Sequence, residues 1–562
     1  MVYNIAEICA AHNVGDAVLS PGSRNAPLTY SFVRHAQIKT YTITDERSAA
    51  FIALGMAQRS GRPVALACTS GTAAYNYAPA VAEAFFQHLP LIIFTADRPP
   101  EWIDQQDGQT IRQSNLYGNH VKGFFACPVD TSHPDAVWHF ERLINEALLL
   151  ATSGQPGPVH INVPFREPFY PPAEDPPARA PKIISRLNHQ QTLTERAWVQ
   201  LVDEWRTHKK KLIVGGQGIL PMADLEMLDE FAGNKNLPLI GDVLSNLHGM
   251  HNNQNLADLF LANIPAKLKK DLQPDLLITF GESIISKNLK LFLRQYPPKV
   301  HWHIQPAGYN PDTYRSLTTI VPATLTSVIQ SLRDIVGKGN VAYLNKWRKL
   351  QEQTKKFLRS YSGKQVFNEM SALHAIFDNL PLACDIHLAN SMPVRWANTY
   401  GFDHTRQQVT FFANRGTSGI DGCTSTALGA ALKAEKTTLL ITGDMAFFYD
   451  RNAFWHKYVP CHLRIIVLNN RGGGIFDIID GPSKQPEHEE YFLTGQSLSA
   501  KQVAAEFGLK YYHCGSVAGL SRGLDRFWVR DNQAKILEIN TDIKTNTKIL
   551  RQLNRELKKL WN

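Results

Sequence analysis

Short apolar runs, each closed by a turn residue, recur along the whole chain and constrain its fold more than any other feature. In the first part they are residues 16–20 (DAVLS), 63–70 (PVALACTS), 89–96 (LPLIIFTA) and 158–164 (PVHINVP). Val, Ile, Leu and Ala fill these runs without the strict polar alternation of a half-solvated strand, so burial on both faces is expected. The segments between them, such as Arg47 to Arg59, are amphipathic and helix-like. Doubly buried strands that alternate with helices specify a parallel sheet covered on both sides, an α/β architecture.

The same pattern occurs twice more. Residues 211–218, 237–243, 275–283 and 300–306 form a second set, and 382–389, 437–444, 463–470 and 534–541 a third. Between the first two sets, residues 170–182 (YPPAEDPPARAPK) hold five prolines, which resist helix and sheet alike and read as a linker. A charged helical stretch, Tyr343 to Arg359, leads into the third set. At about 150 residues per domain, 562 residues allow three or four. The expectation is three doubly wound parallel-sheet domains, 1–170, 183–345 and 364–562. The GGQG at 215–218 lacks the GxGxxG spacing of a dinucleotide site and reads as a strand-to-helix turn.

Composition removes several classes. No apolar run reaches the ~18 residues of a membrane-spanning helix, and the N-terminus lacks the basic and long apolar segments of a secretory signal. The seven cysteines are scattered and never spaced CxxC, so reduced, mostly buried thiols in a cytoplasmic protein are expected, without disulfides or zinc. Lys and Arg exceed Asp and Glu by 9, which points to anionic ligands without choosing among small acids, nucleic acid and a membrane surface. No zinc-finger spacing or RNP-like aromatic run supports nucleic acid. The basic C-terminal stretch has Ile549, Leu550, Leu553, Leu557, Leu560 and Trp561 at helical spacing; packing on its own domain is expected over membrane docking.

Chemistry enters in the third set. The run 437–442 ends at Gly443-Asp444, and the run 464–468 ends at Asn469-Asn470, followed by Arg471, Gly472, Gly473 and Gly474. Ligands of parallel sheets sit beyond the carboxyl ends of strands, so Asp444 and Asn470 are expected at one edge, 26 residues apart. A carboxylate, an amide oxygen and a glycine carbonyl make half an octahedron of hard oxygens, suited to Mg²⁺ when diphosphate and water complete it. GD followed by NN at this distance resembles the thiamine diphosphate motif.

Further segments narrow the resemblance: SPGSRNAPL (20–28), DERSAAFIALGMA (45–57), TADRPPEWID (95–104), GQTIRQSNLYG (108–118), NRGTSGIDGCTSTALG (414–429) and NNRGGGIF (469–476). Together they are similar to the 2-succinyl-5-enolpyruvyl-6-hydroxy-3-cyclohexene-1-carboxylate synthase family across all three domains. The resemblance implies a pyrimidine-binding first domain, a central domain and a diphosphate-binding third domain. It implies decarboxylating carboligation of 2-oxoglutarate with isochorismate, with thiamine diphosphate and Mg²⁺, or Mn²⁺ in its place, as cofactors. It also implies a homodimer or homotetramer with active sites between subunits.

By the same resemblance Glu46 activates the cofactor's aminopyrimidine, and Gln109 lies near the reacting centre. Cofactor contacts fall to Asn390, Ser418, Gly419, Ile420, Gly443, Asp444, Met445, Asn470, Gly472, Gly473 and Ile475, with the metal on Asp444, Asn470 and Gly472. Ile420 matches the bulky residue that holds the cofactor bent. Both substrates are dicarboxylates, for which guanidinium forks are the matched partners, and the family pattern places Arg24, Arg395 and Arg415 there with Ser23, Ser391, Gln109 and Lys287. Ile475, Phe476 and Ile479 are expected as an apolar wall over the reacting atoms, although for Ile479 an ordinary core role is equally compatible with the pattern. Arg98 fits a loop clamp or an interface contact.

Two positions depart from relatives. Lys287-Asn288 stands where some members have Lys-Arg, and Ala446 replaces a serine able to bond diphosphate. A different thiamine-dependent 2-oxo acid carboligase or decarboxylase would explain Glu46, Asp444 and Asn470 equally well, but not the arginines.

Overall fold

The computed structural model describes residues 2–167, 169–170, 180–187, 192–362, 366–403, 408–479 and 481–561. Most of the proline-rich linker, 171–179, and the expected start of the third unit near Lys364 lie outside the described residues. Three sheets follow one another along the chain, and every strand pairing within them is parallel.

The first sheet contains β1 (Asp16–Leu19), β2 (Lys39–Thr42), β3 (Val64–Cys68), β4 (Leu91–Asp97), β5 (Phe124–Ala126) and β6 (Val159–Pro164), in the order β2-β1-β3-β4-β6-β5. The second contains β7 (Lys211–Gly215), β8 (Leu239–Gly241), β9 (Leu276–Phe280), β10 (Val300–Ile304) and β11 (Thr319–Val321), ordered β11-β10-β9-β7-β8. The third contains β12 (Cys384–Leu388), β13 (Val409–Phe412), β14 (Thr437–Gly443), β15 (Leu463–Asn469), β16 (Lys510–Cys514) and β17 (Lys535–Asn540), ordered β13-β12-β14-β15-β17-β16. The first and third sheets therefore share one strand order.

The apolar runs account for the inner strands. The strands they did not reveal, β2, β5, β11, β13 and β16, all lie at sheet edges. An edge strand is paired on one side only and tolerates mixed polarity, so it need not carry a continuous apolar run; β8, at the edge of the second sheet, does carry one and is buried throughout.

The two outer units meet through equivalent helices. The Glu46–Ser60 helix begins after β2 with Asp45 as its cap, the carboxylate accepting the Ser48 amide at 3.1 Å, and ends at Gly61 with φ 66°. The Cys423–Ala431 helix follows β13. They cross in backbone contact: a Cβ on Gly55 would lie 1.9 Å from the Thr426 carbonyl oxygen, and one on Gly429 would lie 1.9 Å from that of Ile52. GGQG is another close approach, since a Cβ on Gly216 would sit 1.8 Å from the Glu282 carbonyl.

The basic C-terminal helix, Ile543–Lys559, buries Ile549, Leu553 and Leu557 in the core of its own unit. It also reaches the middle unit, where Asn263 Nδ2 donates to Asn554 Oδ1 at 3.0 Å. All seven cysteines are free thiols, with only Cys461 not fully buried. Among the described residues no helix is long and apolar enough to cross a membrane.

Candidate active site

The order of the third sheet reverses direction between β12 and β14, and a crevice opens at such switch points beyond the strand ends. Loops after β13, β12, β14 and β15 converge there on a cavity of about 440 Å³. Its walls include Asn390, Ser391, Arg395, Arg415, Ser418, Ile420, Gly443, Asp444, Met445, Ala446, Asn470, Gly472, Gly473, Ile475, Phe476 and Ile479. Gly419 stands just behind, its carbonyl accepting from Asn390 Nδ2 at 2.6 Å.

Gly443 pairs with Leu468 in the β14–β15 register, which sets Asp444 and Asn470 at one edge. Asp444 is 2% exposed. Its Oδ2 accepts from Gln496 Nε2 at 2.6 Å and its Oδ1 from the Met445 amide at 2.8 Å. Burial, only partly offset by these bonds, pushes its carboxyl up to about 6. Asn470 donates its amide to Glu369 Oε1 at 2.7 Å, and its Oδ1 accepts from the Gly472 amide at 3.2 Å. Burial likewise pushes the Glu369 carboxyl up to about 7; bonds from Trp396 and Asn470 lower it, and the Asp444 charge raises it.

The glycine run has no room for side chains. A Cβ on Gly472 would lie 2.6 Å from the Leu493 carbonyl oxygen, and one on Gly474 would lie 2.9 Å from Asn470 Nδ2. Among the described residues no three His, Cys, Asp or Glu side chains gather as a metal site. The donor set that fits a hard divalent cation here is a buried carboxylate, an amide oxygen and backbone carbonyls.

The loop carrying Arg415, Ser418 and Ile420 is held from two sides. Asn390 donates to the carbonyls of Asn414 and Gly419 at 2.7 and 2.6 Å, and its Oδ1 accepts from Arg415 Nη1 at 2.8 Å. From the first unit, Glu83, 1% exposed, accepts the Gly416 amide at 2.8 Å, the Thr417 amide at 2.6 Å and the Thr417 hydroxyl. Ser391 and Ser418 hold φ of 73° and 64°, backbone conformations that cost a non-glycine residue about 1–3 kcal/mol.

Positive charge gathers around this cavity, from Arg395 and Arg415 in its wall and Lys290 behind them. Burial lowers the Arg395 guanidinium, and the Arg415 charge lowers it further. Lys290 is lowered first by burial and then by Arg415, with Arg294 and Arg395 adding and Asp242 opposing. Lys287, the expected carboxylate contact, is instead exposed at the first position of the Lys287–Gln295 helix and does not line the cavity. Lys290, one turn later, does not line the cavity either, but it shares the arginines' field.

Ser23, Arg24, Glu46 and Gln109 also do not line this cavity. They lie at the carboxyl edge of the first sheet. Arg24 donates to the Phe165 carbonyl at 3.0 Å and stacks 4.5 Å from the Phe169 ring centroid. Glu46 opens its helix, and its charge is among those that raise the buried Tyr77 hydroxyl, after burial and Cys68. Gln109 is exposed with φ 54°. Arg98 clamps its loop, donating to the Gly108 carbonyl at 3.0 Å and pairing with Asp107 at 2.9 Å.

Glu83, Lys290, Glu369 and Gln496 were not anticipated. A lone Glu at a helix start is ordinarily a favourable end charge, and a Glu or Lys within a helix a solvated face. Burial, visible in three dimensions, separates Glu83 and Glu369 from that background, and Lys290 and Gln496 are marked only by the charges and the carboxylate they meet.

The first part of the chain, residues 3–116, matches the model described as "Thiamine pyrophosphate enzyme, N-terminal TPP binding domain". Residues 180–387 match "Middle domain of thiamine pyrophosphate". The 2-succinyl-5-enolpyruvyl-6-hydroxy-3-cyclohexene-1-carboxylate synthase of Cytophaga hutchinsonii is 45% identical over 100% of this chain and 99% of its own length. Its counterpart from Flavobacterium johnsoniae is 37% identical over 99% of each chain, and that from Porphyromonas gingivalis 37% over 95% and 93%. Full-length identity at this level, on a fold of three parallel sheets with its crevice at a switch point, means that the chain belongs to the 2-succinyl-5-enolpyruvyl-6-hydroxy-3-cyclohexene-1-carboxylate synthase family of thiamine diphosphate-dependent enzymes.

Proposed function

We propose that this chain joins 2-oxoglutarate to isochorismate with loss of CO₂, as a cytoplasmic enzyme of menaquinone biosynthesis. The observation that carries this reading is one cavity in which the buried Asp444 and the half-buried Asn470 face the same space as Arg395 and Arg415. A diphosphate-metal group and a dicarboxylate need those two chemistries side by side.

Asp444 Oδ1 or Oδ2, Asn470 Oδ1 and the Gly472 carbonyl hold Mg²⁺ or Mn²⁺ against the diphosphate. Asn390, Ser418, Gly419, Gly443, Met445 and Gly473 line its bed, with Ile420 and Ile475 as apolar supports. When bound, thiamine diphosphate supplies the carbon nucleophile and electron sink for decarboxylation. Arg395 and Arg415, joined by Ser391, orient carboxylates, and an arriving dianion relieves the repulsion between the two guanidiniums. Phe476 and Ile479 keep water from the reacting carbon.

Glu46 of a second copy would close the site, its carboxyl holding a proton toward the cofactor's pyrimidine. Ser23, Arg24 and Gln109 arrive on the same edge, and the assembly is at least a homodimer. Lys287 or, with its closer field, Lys290 adds a cation for the second substrate.

The test is the purified chain with thiamine diphosphate, Mg²⁺, 2-oxoglutarate and isochorismate. CO₂ should form one for one with the succinylated adduct. CO₂ released from 2-oxoglutarate without that adduct overturns the proposal in favour of another thiamine-dependent 2-oxo acid enzyme. For the shared site, E46Q and D444A should each be nearly inactive, while re-equilibrated mixtures regain up to about a quarter of wild-type activity, because half the dimers then carry one intact site of two. No recovery on mixing rules out a site built from two chains.

A further inference from the structure

We infer that Glu369 acts as the positioning residue for Asn470, fixing which end of its amide faces the divalent cation; this rests on the cation site proposed above. Glu369 is 1% exposed and starts the Glu369–Asp378 helix. Its backbone is pinned, because its amide donates to Asn546 Oδ1 at 3.0 Å and the preceding Asn368 forms a capping box with Ser371. The carboxylate therefore has a fixed place.

Its two oxygens serve the indole of Trp396 on one side and the amide of Asn470 on the other, with the Thr541 hydroxyl a longer third contact, 3.5 Å from Oε1. Oε2 accepts the indole N–H of Trp396 at 2.7 Å, and Oε1 accepts Asn470 Nδ2 at 2.7 Å. An indole nitrogen can only donate, so Oε2 is committed. An asparagine amide, by contrast, can turn over and exchange its oxygen and nitrogen at almost no steric cost. What selects one orientation is the neighbours, the Gly472 N–H on the oxygen at 3.2 Å and, by the shorter bond of 2.7 Å, Glu369 on the NH₂. A carboxylate accepts only the NH₂ end, which leaves Asn470 Oδ1 turned to the Gly472 amide and the cavity.

Glutamine at 369 would reverse this. Trp396 must still donate, so it takes the single amide oxygen, and the new NH₂ group faces Asn470. Asn470 then stands between two donors, and turning its oxygen to the glutamine gives up the bond from the Gly472 amide and puts its own NH₂ into the cavity, where an N–H dipole repels a cation. The exchange E369Q/N470D restores every partner: the indole donates to Gln, Gln donates to one Asp oxygen, and the other Asp oxygen faces the cavity. Net charge is unchanged by the exchange.

The experiment is titration of the full-length chain with Mn²⁺ in the presence of thiamine diphosphate, following free Mn²⁺ by electron paramagnetic resonance. E369Q should bind Mn²⁺ about ten- to a hundredfold more weakly, as expected when a partner of a metal ligand is lost. E369Q/N470D should recover most of that loss, and because its network is complete it serves even where E369Q folds poorly. Wild-type affinity in E369Q, or a double variant no better than the single one, overturns the inference while leaving the cation site standing. A wild-type chain that binds no Mn²⁺ removes the site and the inference together.

Discussion

At the residue scale, Glu83 joins two parts of the molecule. It lies on the Ala78–Phe86 helix of the first unit, yet its oxygens serve the loop of the third unit that presents Arg415, Ser418 and Ile420. Oε1 also takes Gln87 Nε2 at 2.6 Å, so each oxygen has two donors. A glutamine can accept at one side only and leaves at least one buried backbone N–H without a partner, a loss of about 1–3 kcal/mol. E83Q should therefore raise KM for 2-oxoglutarate by about tenfold or more, 1.4 kcal/mol being a factor of ten, with a smaller change in kcat. Unchanged KM in steady-state kinetics would show that the loop keeps its shape without this carboxylate. Asp444 and Asn470 could be read from sequence because two strand ends and their spacing mark them. Glu83 and Glu369 could not, because nothing along the chain distinguishes a buried Glu from a solvated one.

At the scale of elements, the crossing of the Glu46–Ser60 and Cys423–Ala431 helices sets how the outer units sit together. The first helix was recognisable in the stretch from Arg47 to Arg59, but its partner was not, since the small residues along it say only that something comes close. G55A would place a methyl group 1.9 Å from the Thr426 carbonyl oxygen and 2.8 Å from its carbon, contacts that the backbone must move to relieve. Overpacking of this kind costs about 1–3 kcal/mol or more. G15A is the matched control, with no atom within 4 Å of its new Cβ. Thermal unfolding should show a clear fall in Tm for G55A and little change for G15A; equal behaviour would mean that the helices part without strain. Inner strands were legible because burial on both faces writes a continuous apolar run; of the edge strands only the buried β8 carries one of these runs.

At the scale of the whole molecule, buried histidines set the response to acid. Burial lowers His160 to about 3 and His301, His374, His387 and His456 to about 4. Unfolded, each takes up a proton near 6.5. The stability they support is complete above that pH and is lost as pH falls toward 4, at about 1.4 kcal/mol per unit for each histidine. Buried Asp242 and Asp450, raised to about 6 and 7, act in the opposite sense. A single variant isolates the histidine contribution. His387 stacks on Phe412 with centroids 4.8 Å apart, and of the charges around it Asp385 raises it and Arg59 lowers it. Relative to wild type, H387L should gain stability steadily between pH 6.5 and about 4 in urea unfolding, and a pH-independent difference would contradict the assignment. The surplus of 9 positive charges, by contrast, was ambiguous until the fold placed Arg395, Arg415 and Lys290 in one field.

The loop from Asn414 to Gly419 carries a further consequence. Every bond described for it, from Asn390 on one side and Glu83 on the other, is made within a single chain. Its ordering entropy is thus spent when the chain folds rather than when a ligand arrives. Calorimetry of dicarboxylate binding should accordingly find a template already cast, with little of the entropic penalty that a loop closing over its ligand would impose.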